Sequence, residues 1–188
     1  MSKLIYLLLI ASVSFCSKAV AVNIMGFEQP ESLQTQSQSL QLNGYGIRSK
    51  WLMNIYIAGL YLKPEHLHAS DDWVVYADSP MALRLVVMRN NLNSQRMIWA
   101  TRESFEQSNG VQPLLQEQLQ QLLQLYREDV NKGDIYTLSY TPDKGLQTFK
   151  NNQLINTIHS LSFKQAVFNM WFGKQPVQER LKQQLLNH

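Results

Sequence analysis

The residue with the clearest chemical potential in this chain is Arg48. It lies in the stretch Leu42 to Leu62, LNGYGIRSKWLMNIYIAGLYL, just after Gly44 and Gly46 and ahead of an apolar run. A fixed positive charge beside a wall of greasy surface suits a ligand with an anionic head and a hydrophobic body, because guanidinium pairs well with carboxylate. The two glycines are expected to let the backbone turn sharply before the arginine. The competing reading is a hairpin whose arginine merely faces water. Other reactive residues are sparse. His66 and His68 stand near Glu65, Asp71 and Asp72, without the further histidine or cysteine ligands that a metal centre needs. His159 precedes a helix and His188 is terminal. The chain has no G-x-S-x-G, no H-E-x-x-H, no phosphate-binding glycine loop and no catalytic cysteine arrangement. The common routes to hydrolysis, phosphoryl transfer and dinucleotide redox chemistry are therefore not visible, and no metal or cofactor is expected.

The elements that must position Arg48 follow from hydrophobic period. Leu40 to Leu42 and Ile47 to Leu62 read as paired strands joined through Asn43-Gly44. The second is apolar at both parities, as in a sheet covered on two sides. Trp73 to Tyr76 and Met81 to Met88 read as two more short strands. The period then becomes helical: a helix capped by Ser94 runs to Asn109-Gly110, and another spans Pro113 to Val130 with a leucine stripe that reads as core packing. A meander follows, with strands Ile135 to Thr141, Leu146 to Lys150 and Leu154 to Ile158 between turns rich in Asp, Asn and Gly. Ser162 is expected to cap a helix through Trp171, and Pro176 to open a last one.

The first 21 residues, MSKLIYLLLIASVSFCSKAVA, have the form of a secretory signal peptide, with Lys3 ahead of an apolar run and Ala19-Val20-Ala21 as the cleavage pattern. Phe15 before Cys16 argues against lipid attachment there. The whole chain has 17 basic and 14 acidic residues, and loss of Lys3 and Lys18 on cleavage after Ala21 leaves 15 against 14. The single cysteine is lost as well, so the mature chain has no disulfide and must be held by a buried core. No cluster of basic and aromatic residues suggests nucleic acid. The division expected is a signal peptide over 1–21, a polar N-terminal arm over 22–39 and one domain over 40–188.

The order of motifs resembles the bacterial chalcone isomerase-like domain. The resemblance is carried by G-x-R before NIYIAGLYL, a strand ending in MRN, ESFEQSN closing a helix, a KGD turn, IYTLSYTPDKG, and FKQAVFNMWFGKQPVQERLKQQLL. It implies an α+β fold, an antiparallel sheet packed against a layer of helices with a ligand cleft between them. Plant relatives include chalcone isomerases and fatty-acid-binding proteins. In the isomerases an arginine polarises an oxyanion with help from a threonine, a tyrosine, an asparagine and a late serine or threonine. By this resemblance Arg48 falls on the arginine, Tyr56 on the threonine, Arg102 on the tyrosine, Asn109 on the asparagine and Met170 on the last polar position. Three of the five polar roles are altered, which strips a cyclase of most of its preorganised donors and harms a binder less. The expectation is an exported, periplasmic, non-catalytic protein that binds a small amphipathic ligand such as a fatty acid, with Arg48, Tyr56, Arg102, Asn109 and Met170 at the site. The alternatives are an envelope structural or protein-interaction module with a filled cleft, and an isomerase-type enzyme that uses Arg48 to stabilise an oxyanion.

Overall fold

Short apolar strands linked by tight turns pair with their sequence neighbours, because a two-residue turn brings the next strand alongside at little entropic cost. The computed structural model describes residues 21–35 and 38–188, so the signal peptide reading, Ala21 aside, lies outside the described residues. Strands β1 (Ala21–Ile24) and β2 (Phe27–Pro30) form a hairpin of their own. Strands β3 (Ser32–Gln34), β4 (Ser39–Lys50), β5 (Met53–Leu62), β6 (Met81–Val87), β7 (Ile135–Thr141), β8 (Gly145–Lys150) and β9 (Gln153–Ile158) form one antiparallel meander in sequence order. The helices are α1 (Asp71–Tyr76), α2 (Ser94–Asn109), α3 (Gln116–Leu123), α4 (Leu161–Phe172) and α5 (Glu179–Leu186).

One face of the sheet carries the main core. Ala58, Leu60 and Leu62 of β5, Leu83 and Leu85 of β6 and Leu138 of β7 pack with Phe163, Val167, Phe168 and Phe172 of α4, Phe105 of α2 and Leu119 of α3. The opposite face holds a smaller cluster, Leu40, Tyr61 and Ala82. Buried Gln29 of β2 meets that face, where Tyr61 donates to its Oε1 (3.1 Å) and Arg84 does the same (2.6 Å). Residues of the polar lead-in are thus built into strands: β3 pairs with β4, and β2 lies against Tyr61 and Arg84.

Several sequence expectations are corrected. Gly44 and Gly46 are not turn residues. Both lie inside the continuous strand β4, and the reversal comes later, at Trp51 and Leu52, each with positive φ (53° and 61°). The glycines serve close approach instead. A Cβ on Gly44 would meet the backbone oxygens of Gln184 and Leu185 at 2.3 and 2.6 Å, and one on Gly46 would meet the Gln184 side chain and Leu181. Helix α5 therefore rests directly on β4. Trp73 to Tyr76 belong to α1, not to a strand, since Ser70 caps Trp73 N and the short apolar run winds Val74 and Val75 inward. Asn93 rather than Ser94 caps α2, Ser160 rather than Ser162 caps α4, and α5 begins at Glu179 rather than near Pro176. The helix expected over Pro113 to Val130 is α3 with a 3-10 turn at each end.

One buried cation ties the helices together. Lys164 of α4 is fully buried, and its Nζ donates to the carbonyls of Val74, Val75 and Ala77 at 2.9, 3.0 and 2.9 Å. It satisfies orphan acceptors at the C-terminal end of α1, where a positive charge also complements the helix dipole. Burial pushes its pKa down to about 8, against a smaller opposing effect of Asp78.

Candidate functional site

The register of the β4–β5 hairpin places Arg48 directly opposite Tyr56. A bulge follows between Arg48 and Ser49, which lets the strand end turn toward α5. There Gln178, the residue before α5, accepts from Ser49 N (3.0 Å) and from Arg48 Nη1 (3.4 Å). Arg48 Nη1 also donates to Ser49 O at 3.2 Å. A guanidinium has five N–H donors, so these bonds orient the group and leave donors for a ligand.

Tyr56 is held from the helix side. The Trp171 indole N–H of α4 donates to the Tyr56 hydroxyl at 3.0 Å. Burial pushes the phenol up to about 12, outweighing the opposite pull of Arg48 and of the Trp171 bond. The phenol is therefore neutral at physiological pH and keeps its own proton for donation. Arg48 and Tyr56 together present charged and neutral donors at one spot, the arrangement that receives a carboxylate.

Behind Trp171 lies the apolar interior between sheet and helices. Trp171 and Met170 line a cavity of about 20 Å³ with Leu85, Leu138, Tyr126, Tyr136 and Thr101 among the other walls. That volume is room for about one water molecule. Met170 and Trp171 are 3% and 7% exposed, so the helix α4 side chains fill most of the space. Tyr126 is hydrogen-bonded with Thr101 and its pKa is raised by burial. The Tyr136 hydroxyl is buried without a hydrogen-bond partner among the described residues.

The five residues singled out by sequence do not all share this place. Arg48 and Tyr56 are brought together, and Met170 is adjacent in sequence to Trp171, which holds Tyr56. Asn109 is occupied elsewhere: its Nδ2 donates to Phe105 O (2.8 Å) and Ala166 O (3.0 Å), while its Oδ1 accepts from Asn169 (3.1 Å). It clamps the end of α2 to α4. Arg102 is half-buried on α2 and makes no hydrogen bond or ion pair among the described residues. Trp171 reads from the sequence, with Met170 and Tyr56, as a bulky residue whose direction decides whether the cleft is filled, and its bond to Tyr56 is visible only in the fold. Gln178 carries no local signal, and only tertiary contact sets it against Arg48.

Among the described residues no helix is long and apolar enough to cross a membrane, and no group of three or more His, Cys, Asp or Glu side chains converges to hold a metal. His66 lies tilted against Trp73 with ring centroids 4.4 Å apart, and Asp71 pairs with Lys182 at 2.7 Å. A second concavity of about 510 Å³ lies between the α3 end and β8–β9. Its walls are charged, with Lys150 bridging Glu128 and Asp134 at 3.8 and 3.6 Å, and it does not suit a hydrophobic body.

Comparison with known proteins agrees with this architecture. A fatty-acid-binding protein of Arabidopsis thaliana is similar in structure, with a TM-score of 0.69 and 17% sequence identity over 90% of this chain and 96% of that one. No curated protein matches the chain. The profile described as "Chalcone isomerase-like" matches residues 21–187, and on that match, spanning the whole meander and its covering helices, the chain belongs to the chalcone isomerase-like family.

Proposed function

We propose that this protein is an exported, non-catalytic binder of a small amphipathic anion, such as a fatty acid. The ligand's acidic group is held by Arg48 and Tyr56, and its apolar part enters between the sheet and the helices. The observation that carries the reading is the cross-strand pair itself: a guanidinium with spare donors opposite a half-buried neutral phenol that Trp171 holds in place. The similarity to a fatty-acid-binding protein supports the same ligand class. Small-molecule sites of this type usually offer a few hundred Å³, so a ligand must widen the 20 Å³ cavity. Helix α2 is the wall suited to yield, because Phe105 is its only fully buried residue and sparse apolar burial marks segments that open at low cost. Its entry to the periplasm follows from the leader sequence. The narrowness of the cavity favours a second reading, an envelope interaction module whose cleft is filled by Met170 and Trp171.

Native mass spectrometry of the protein from its own compartment, followed by denaturation and identification of released molecules, tests this reading. The expected result is a stoichiometric acyl or aromatic acid, and added fatty acids should bind as well. Arg48→Ala should weaken that binding by about 10- to 100-fold, the worth of a hydrogen-bonded charge pair. An empty protein that also ignores added acids favours the interaction module. Turnover of a chalcone that collapses in Arg48→Ala without loss of folding would instead establish an isomerase.

A further inference from the structure

We propose that the tip of the β4–β5 hairpin docks the protein onto the surface of a bilayer that contains anionic lipid. The tip consists of Trp51 and Leu52, which are 82% and 104% exposed, followed by Met53 at 43%. Met25, 67% exposed in the β1–β2 turn, joins the same end of the molecule, because Asn54 Nδ2 lies 3.7 Å from its sulfur. Single exposed apolar residues are ordinary, whereas a contiguous group of large ones marks an interaction site.

The backbone sharpens the point. The two-residue turn between paired Lys50 and Met53 puts both central residues at positive φ, 53° for Trp51 and 61° for Leu52. Such turns favour Asn-Gly, since a bulky side chain is disfavoured in the left-handed region. Trp and Leu are thus poor choices for the turn and contribute nothing to either core cluster. Strain of this kind points to a use outside folding.

Charge identifies the surface that fits. Lys50 adjoins the tip, Arg89 reaches the sulfur of Met53, and Lys132 sits over the Phe27 ring at 5.6 Å. Lys132 N is also bonded to the Asn90 side chain, which brings its turn beside Arg89. None of these three cations has an ion pair among the described residues. The carboxylates on the same elements are engaged elsewhere: Glu28 acts on Arg84, and Asp134 pairs with Lys150. An apolar wedge flanked by cations matches a bilayer interface, where Trp and Leu enter the acyl boundary while Lys and Arg meet anionic headgroups. A two-residue apex offers far less area than the roughly 800 Å² per partner of a stable protein interface. Docking by this end would bring Arg48, three residues before Trp51, close to the source of an amphipathic ligand. The docking itself does not depend on what occupies the cleft.

Cosedimentation with vesicles of phosphatidylcholine alone and of phosphatidylcholine with phosphatidylglycerol tests the inference. Wild type should sediment with the anionic vesicles, and less so at high salt. The double variant Trp51→Asn with Leu52→Gly, in the same N-terminal form, should lose about tenfold or more of that binding. Its melting temperature should equal or exceed that of wild type, because Asn-Gly relaxes the turn. Lys50→Gln with Arg89→Gln should lose the preference for anionic lipid. The proposal falls if wild type ignores both vesicles, if it binds both equally, or if the Asn-Gly variant binds as wild type does. Retention of an envelope protein that depends on Trp51 and Leu52, without vesicle binding, would assign the tip to a protein partner and overturn the bilayer.

Discussion

Arg48 and Lys164 show how differently one charge type is used by this fold. Arg48 lies half-buried at a strand end with only part of its donor capacity used, which is the condition for recognising an anion. Lys164 has its three donors placed on three carbonyls and is fully buried, which is the condition for a structural clamp. Replacing Lys164 by methionine should cost about 3 kcal/mol or more, since the carbonyls lose a charged donor in a dry site; the shift in urea midpoint measures it. The pH dependence has a definite sign. Unfolded, Lys164 keeps its proton to the ordinary 10.5, whereas folded it keeps it only to about 8. Between those values the unfolded chain binds more protons, so stability should rise with pH across that window. Lys164→Met should lack this rise, and the difference between the two urea midpoints at pH 7.5 and pH 10 isolates it from other titrating groups.

Among the elements, β4 and α5 are joined by absence of side chain. Gly44 and Gly46 let α5 lie on the strand so closely that any Cβ would collide with it. Gly44→Ala should destabilise by about 1–3 kcal/mol through overpacking. The damage should reach the site, because Gln178 at the start of α5 holds Arg48 and Ser49. Calorimetry together with the ligand affinity of the same variant would show both effects. Helix α2 is the opposite case. It is clamped at its ends, by Asp129 on Ser94 N (2.9 Å) and by Asn109 against α4, with little buried between. Amide exchange should therefore be faster in the middle of α2 than in β5 and β6, and bound acyl acid should slow it.

At the scale of the whole molecule, the meander divides the labour: helices cover one face and form the core, while β2 and β3 shield part of the other. What sequence alone determined is the α+β class and the order of most elements after the N-terminal strands, with Trp73 to Tyr76 the exception. The apolar run of Met81 to Val87, the alternation in Ile135 to Thr141, the turns of the later meander and the leucine stripe of α3 are local patterns, and motif order carried the family. The same motif order singled out Arg48 and Tyr56, while the register that sets them opposite each other is seen only in the fold. What tertiary structure decided is everything that depends on a distant partner. The glycines of β4 read as turn formers because a lone strand gives no sign that a helix some 140 residues later will rest on it. Val74 and Val75 suit a strand by propensity and were drawn into a helix by capping at Ser70 and burial against α4. The bond of Trp171 to Tyr56, and the engagement of Asn109 by Ala166 and Asn169, are likewise contacts between distant elements. Local periodicity is written in neighbouring residues, whereas the spare capacity of a donor or the room beside a strand exists only once the chain has folded and every competing partner is in place.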